Sequence, residues 1–405
     1  MTNGITSEIG RLRSVLVHRP GIGIARLTPD NKDALLFDDL LWLERAQEEH
    51  DAFVALMEGR DVEVLYFENL LAESLADGDV REQLLGRVFT PAQVGPRVAE
   101  QLTAALAAVP VRELVDVLIG GVLESELERF GVDHLFAELI ADRFHYAVRP
   151  LPNLLFMRDN AAWINDGVSI NVLATPARER ESLYMETIYR HHPRFADLSH
   201  VWFGPGEGDR YPASIEGGDV LVLDSRTAMF GLGERTAPSA VEILARRLFA
   251  AGAVEQIIVV HLRKARSQMH LDTVFTMVDR GCFNVFGGLL DTAEVHVITA
   301  TGDGRLNVRY AAGLEAALGD ALGLDRVEWV QTGGDEIGRL REQWDDGNNT
   351  LALAPGVVVA YARNRHTNRR LEEAGIEVLE LDASELCRGR GGSRCMTQPL
   401  ARDPI

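Results

Sequence analysis

"GGDVLVLDSRTAMFG", residues 217–231, reads as a β-hairpin with an acidic residue at its leading end. Asp219 precedes one apolar run, Asp224-Ser225-Arg226 marks a turn, and a second apolar run ends at Gly231. Short apolar runs bounded by turn-forming residues predict paired strands. The plan recurs along the chain. "RDNAAWINDGVSIN" (158–171) has Asp159, a strand, an Asp-Gly turn and a strand. "LDTVFTMVDRGCFNVFG" (271–287) puts Asp272 in the same place, and "WDDGNNTLALAPGVVVAY" (344–361) puts Asp345 and Asp346 ahead of two strands around Pro355-Gly356. "LRSVLVHRPG" (12–21) supplies a strand for a fifth unit. Helical runs such as "APSAVEILARRLFAAG" (237–252) and "GLEAALGDALG" (313–323) lie between some hairpins. A lone acid at a turn is ordinary, because Asp bonds its own backbone there. Several in one phase favour a radial arrangement that gathers the acids at one place.

Outside the repeats, a strand at Ser14–His18 is followed by a helical pattern over residues 35–59, ended by Gly59, and a strand at Val62–Phe67. Residues 70–88, 91–109 and 111–127 then read as amphipathic helices with almost no strand signal. The expected organisation is an α/β body made of residues 1–70 and 146–405, with residues 71–145 as an inserted all-helical subdomain.

Bulk properties narrow the function. The 405 residues are 46% hydrophobic and 25% charged, ordinary for a globular protein. Forty-one basic against 61 acidic residues give a net charge of −20, which argues against nucleic acid as a partner. The charge suits a cationic small substrate, and equally suits solubility. No apolar run approaches the roughly 20 residues of a membrane span. The N-terminus lacks a basic-then-apolar signal pattern, so the expected location is the cytoplasm. Three cysteines, Cys282, Cys387 and Cys395, fit a reducing compartment and no disulfide framework.

The chemical groups cluster in a few motifs. "MHLD" (269–272) gives His270 and Asp272, which on a strand share one face as base and orienter or as metal ligands. A metal site is disfavoured, since there is no HExxH and no CxxC, and His191-His192 would diverge on a strand. "SIEGGDV" (214–220) sets Glu216 and Asp219 around two glycines, and "FMRDN" (156–160) sets Arg158, Asp159 and Asn160 at a strand start. "RGRGGSRCM" (388–396) carries Cys395. A phosphate cradle there lacks the GxxxxGK[ST] spacing, and Pro399 soon follows. A nucleophilic thiol must ionise, and Arg388, Arg390 and Arg394 are expected to lower its pKa. Cys282 and Cys387 read as structural. One Cys, one His and several carboxylates fit several hydrolase classes. A guanidinium presents forked N–H donors that carboxylates match with parallel hydrogen bonds. Asp159 and Asp272 are therefore candidates to hold a guanidinium while Cys395 attacks its central carbon.

"PLPNLLFMRDN" (150–160), "IEGGDV" (215–220), "GLGERT" (231–236), "MHLDTVFTMVD" (269–279), "EQWDDGNN" (342–349) and "RGRGGSRCM", in this order, resemble the bacterial arginine deiminases. The resemblance runs from about residue 8 to the end and is weakest in the helical insert. It implies the guanidine-modifying superfamily, with a five-fold pseudosymmetric α/β propeller of ββαβ units and an inserted helical bundle. It implies conversion of L-arginine and water to L-citrulline and ammonia, without metal or organic cofactor, in a homodimer or higher assembly.

Carried over by motif, Cys395 is the nucleophile, His270 the general acid and base, and Glu216 its partner. Asp159 and Asp272 clamp the guanidinium. Asn153, Phe156, Arg178, Asp219, Arg235, Gly389 and Arg390 are the substrate-binding positions, with Arg178, Arg235 and Asn153 facing the α-carboxylate. The glycines around Arg390 imply a loop that swings Cys395 and Arg390 over the pocket. Arg394 stands where some relatives carry His, and Gln398 also varies among them. The alternatives are an agmatine deiminase, a dimethylarginine hydrolase or an amidinotransferase, or an inactive arginine-binding protein on the same fold.

Overall fold

The computed structural model describes residues 3–132 and 145–405. The four hairpins read from the sequence are present. Ala161–Ile164 pairs antiparallel with Gly167–Ile170, and Val220–Asp224 with Thr227–Leu232. Phe275–Asp279 pairs with Cys282–Val285, and Leu351–Ala354 with Val357–Tyr361. In each unit the second strand then pairs parallel with a third: His200–Phe203, Gln256–His261, Glu328–Gln331 and Glu377–Leu381 in turn. Parallel neighbours need a crossover, and helices Glu179–His191, Pro238–Ala250 and Arg365–Glu373 supply it in three units. The hairpin strands are buried along most of their length, so they read as near-continuous apolar runs.

The two ends of the chain build a fifth unit. Leu12–Val17 pairs antiparallel with the last strand, Gln398–Arg402, and parallel with Glu63–Tyr66. The strand order and the sense of pairing match the other four units. The fold is thus mixed α/β, and the loop that carries Cys395 leads directly into the strand that joins the chain's two ends.

Several elements differ from their sequence reading. The helical pattern over residues 35–59 becomes a helix only from Leu43 to Glu58. Leu36 adopts a left-handed conformation, φ 69°. Its carbonyl accepts from Arg266 at 2.8 Å, and that of Leu35 accepts from Asn153 Nδ2 at 2.7 Å. Those tertiary bonds replace a helical turn. Residues 70–88 form two helices rather than one, Phe67–Ser74 and Gly78–Val88. The Asp77 carboxylate caps the second by accepting from the N–H groups of Asp79 and Val80. Helices Pro96–Ala107 and Val111–Gly120 follow. A short strand pair, Val122–Leu123 with Tyr146–Val148, closes a stretch expected to be purely helical. Residues 133–144 of the expected insert lie outside the described residues. Among the described residues no helix is long and apolar enough to cross a membrane.

Candidate active site

Three acidic leads of the hairpins sit on single 3-10 turns: Met157–Asn160, Gly217–Asp219 and Leu271–Thr273. Hydrogen bonds tie the units together in chain order. Asp159 Oδ1 accepts from the Gly218 N–H at 3.3 Å, and Asp219 Oδ1 from the Leu271 N–H at 2.8 Å. Asn349 Oδ1 accepts from the N–H groups of Arg394 and Cys395, both at 3.1 Å. The Arg158 N–H donates to the Cys395 carbonyl at 3.0 Å, which returns to the first of these turns. The two glycines ahead of Asp219 are required by contact. A Cβ on Gly217 would meet the Arg158 carbonyl oxygen at 2.0 Å, and one on Gly218 the His270 ring at 2.7 Å.

The turn at Leu271–Thr273 corrects the expectation that His270 and Asp272 share a strand face. The Asp219 bond to the Leu271 N–H holds this segment as a turn, and the two side chains part. His270 lines a cavity of about 400 Å³, whereas Asp272 lies fully buried behind its wall. Asn153, Phe156, Asp159, Arg178, Arg235, Gly389, Arg390 and Cys395 line the same cavity. Glu216 and Asp219 stand behind it with Asp272. Leu36, Arg266, Met269 and Thr273 complete the lining, and sequence reasoning named none of them. Their approach depends on non-local contacts that no local motif announces.

His270 Nε2 lies 2.6 Å from Glu216 Oε2, and Nδ1 lies 3.7 Å from Asp159 Oδ1. Burial opposes the imidazolium, but Asp159, Glu216 and Asp219 outweigh it and lift the His270 pKa to about 9. Burial likewise opposes the Glu216 carboxylate, yet His270, Arg235 and Arg178 hold its pKa at about 2. At neutral pH this is an imidazolium–carboxylate pair. Donor atoms of Asp159, Glu216 and His270 lie within 4.8 Å of one another, a spacing able to receive a cation.

Cys395 stands in the same negative field, which leaves it neutral instead of charged. Its Sγ accepts from Asn349 Nδ2 at 3.1 Å and lies 3.7 Å from Asp272 Oδ2. Burial, then Asp272, Asp159 and Asp346, push the thiol well above its ordinary pKa, and Arg394 opposes them without prevailing. The lowering of the thiol pKa expected from the three loop arginines is thus outweighed. Arg388 pairs at the surface with Asp39 at 3.1 Å. The Arg390 guanidinium sits 3.4 Å from the centre of the Trp344 ring. Arg394 spends its charge on Asp272 at 2.8 Å and Glu8 at 3.0 Å. Cys282 and Cys387 are buried, which drives their thiols up to about 12 and about 11.

The remaining expected residues divide by what they touch. Arg178 lines the cavity, but its Nη1 donates to Asp159 at 2.6 Å and its Nε and Nη2 form a fork on Glu181 at 3.0 and 2.8 Å. It anchors Asp159 and keeps few donors for a ligand. Arg235 lies 3.7 Å from Glu216, and its Nε has no partner among the described residues. Arg390 likewise leaves Nε and Nη1 unpartnered. Asp219 does not reach the cavity. It accepts from Leu271 and from Thr236 Oγ1 at 2.6 Å, and burial raises its pKa to about 7. Gly391 allows the loop to pass Phe156, since a Cβ there would lie 2.4 Å from that ring.

This architecture is shared with solved structures of low sequence identity. The DDAH of Pseudomonas aeruginosa, complexed with citrulline, superposes with a TM-score of 0.53 at 13% identity, covering 96% of this chain and 99% of that one. The N-terminal domain of an arginine dihydrolase from cyanobacteria, bound to product, gives 0.54 at 12% identity, covering 96% and 97%. The class is therefore the α/β fold of these arginine-related hydrolases. Sequence is more specific. The family model "Arginine deiminase" matches residues 33–402. The arginine deiminase of Rhodococcus opacus (strain B4) is 46% identical over 99% of this chain and 98% of its own length. That of Mycobacterium tuberculosis (strain H37Rv) is 44% identical over 99% of each. The chain belongs to the arginine deiminase family.

Proposed function

We propose that this chain hydrolyses L-arginine to L-citrulline and ammonia through a covalent intermediate on Cys395. The observation that carries the reading is one cavity lined by a buried thiol, an imidazolium braced from behind by a carboxylate, the Asp159 carboxylate, and arginines with unpartnered donors. The substrate guanidinium lies against Asp159, with Asp272 behind Sγ, and its charge lowers the thiol pKa until the proton leaves. The thiolate adds to the guanidinium carbon to give a tetrahedral adduct. His270 protonates one nitrogen, the C–N bond breaks, ammonia departs, and a thiouronium remains on sulfur. The now neutral His270 takes a proton from water, and hydroxide adds to the same carbon. Collapse of this second adduct breaks the C–S bond, the adduct's hydroxyl proton passes to the departing sulfur, and citrulline leaves with the Cys395 thiol restored. The proton first lost by the thiol ends on ammonia, so the guanidinium charge leaves as ammonium.

Arg235 and Arg390 are assigned to the α-carboxylate, because buried unpartnered donors are otherwise costly and a carboxylate would satisfy them. Arg178, Asn153 and Asp219 act as positioning residues through Asp159, Leu35 and Leu271. Phe156 flanks the substrate's alkyl chain, and Gly389 and Gly391 give the loop its clearance and its swing. The five units, which share a three-stranded core and of which the second carries two further strands, are arranged as a five-fold pseudosymmetric propeller, a reading that the matching strand order and the unit-to-unit hydrogen bonds support. Residues 1–70 and 146–405 make up that catalytic body, and the described part of residues 71–145 is its mainly helical insert. The protein works in the cytoplasm as a homo-oligomer and uses no metal or cofactor.

One assay tests the activity. Purified protein is incubated with arginine, agmatine or dimethylarginine, each with and without a chelator. Citrulline from arginine, unchanged by chelator, is expected. Ammonia from agmatine alone would refute the substrate assignment, and loss of activity with chelator would refute metal independence.

A further inference from the structure

A second, smaller cavity lies behind Cys395, against the last strand, Gln398–Arg402. Glu8, Arg158, Gln398 and Arg402 provide its charged and amide lining, and all four are buried. Gln398 is 1% exposed, and neither Nε2 nor Oε1 has a partner among the described residues. A buried amide without partners is rare in folded proteins.

The charges around it do not balance. Arg158, Arg394 and Arg402 all feel Glu8, and Arg158 and Arg394 also feel Asp272. Three cations against these two carboxylates leave one positive charge uncompensated in this buried cluster. Arg394 occupies both carboxylates, with Nε 3.1 Å from Glu8 and Nη1 2.8 Å from Asp272. Glu8 Oε1 further accepts from the Val222 N–H at 3.3 Å. Arg402 is left with the Gly10 carbonyl at 2.7 Å, and Arg158 with the Arg394 carbonyl at 3.2 Å and Thr397 Oγ1 at 3.4 Å. Two buried guanidiniums without a carboxylate of their own thus face the same space as an orphan amide. A buried charge in this condition calls for a counter-ion.

We propose that this cavity binds a small monovalent anion of the chloride class, held by Arg158, Arg402 and the amide N–H of Gln398. Glu8 shares the wall, but its negative charge is already met by Arg394. The anion neutralises the surplus charge beneath the loop, because Arg158 also donates its N–H to the Cys395 carbonyl. The site is independent of the reaction assigned to the front cavity.

Two measurements on the full-length protein decide the matter. The melting temperature is compared in sodium chloride and sodium gluconate at equal ionic strength. A rise of about 2 °C in chloride is expected, since a ligand that binds only the folded state raises its stability. The rise should vanish in Gln398→Leu, which fills the cavity without removing an arginine. Wild-type crystals grown with bromide should show an anomalous peak between Gln398 and Arg402. Equal melting temperatures in the two salts, or a bromide-soaked cavity with no anomalous peak, would overturn the proposal.

Discussion

His270 and Cys395 line one cavity, and carboxylates keep the proton on both. On the histidine side, Asp159 and Glu216 stabilise the imidazolium and lift its pKa to about 9. On the cysteine side, burial and the carboxylates of Asp272, Asp159 and Asp346 destabilise the thiolate. An ordinary imidazole would lose its proton near neutrality, and an ordinary thiol about two pH units higher. Here the acid is charged and the nucleophile is neutral at the same pH. The contrast shows what the negative field serves. In the mechanism we propose, that field suits a cationic substrate, and the thiol ionises when the cation arrives beside the sulfur.

The largest effect should come from removing the nucleophile. Cys395→Ala is expected to lower citrulline formation by at least about 10⁴-fold while the melting temperature stays near that of the wild type. Substantial activity in that variant would leave the contrast without chemical meaning. Glu216→Gln should cost about 10²–10³-fold in turnover, because His270 loses its brace. The same variant should move the upper limb of the pH–rate profile down from about 9. In the wild type, turnover should fall as pH rises through about 9 and His270 loses its proton. The stability that the raised pKa contributes follows the same sign. It is fully present below the ordinary histidine value and is lost as pH rises through about 9.

Asp272→Asn separates the two sides. Removing this carboxylate lowers the thiol pKa, so alkylation by iodoacetamide at pH 7 should speed up by about 10-fold. Citrulline formation should fall at the same time, because Arg394 loses one of the two carboxylates that hold it beneath the Cys395 loop. If alkylation and turnover fell together, Asp272 would not be the group that keeps the thiol neutral. The smallest change is expected from Arg235→Gln. It should raise the KM for arginine by about 10-fold and leave any slow reaction of agmatine, which has no carboxylate, unaltered. Equal losses on both substrates would move Arg235 from carboxylate binding to support of Glu216.

Much of this was legible in the sequence because the repeat is local. Asp159, Asp219 and Asp272 each precede a strand in one phase, and the structure puts each on a turn before that strand. Their division of labour was not legible. Asp159 lines the cavity, Asp219 braces the neighbouring turn, and Asp272 faces Arg394, yet the three local contexts are alike. Asn349 lay in plain sight in "EQWDDGNN", yet nothing local to it gave it a role. Only the fold shows its carboxamide holding both the Cys395 N–H and Sγ. Arg394 read as an electrostatic aid to the thiol, and its charge is instead absorbed by two acids, Glu8 at 386 positions away and Asp272 at 122. Leu36 was lost to a helical pattern because side chains from remote loops take its carbonyl and that of Leu35. Charge balance and orphaned donors are properties of a packed interior, and periodicity does not report them.

The central claim is that the substrate, rather than the resting protein, ionises Cys395. It is tested most directly by following the ultraviolet absorbance of the thiolate against pH in wild type and Cys395→Ala, with and without guanidinium ion. The account predicts no Cys395-dependent thiolate in the free protein until well above the ordinary thiol pKa, and its appearance near neutrality when guanidinium is bound. A Cys395 thiolate already present at pH 7 in the free protein would contradict it.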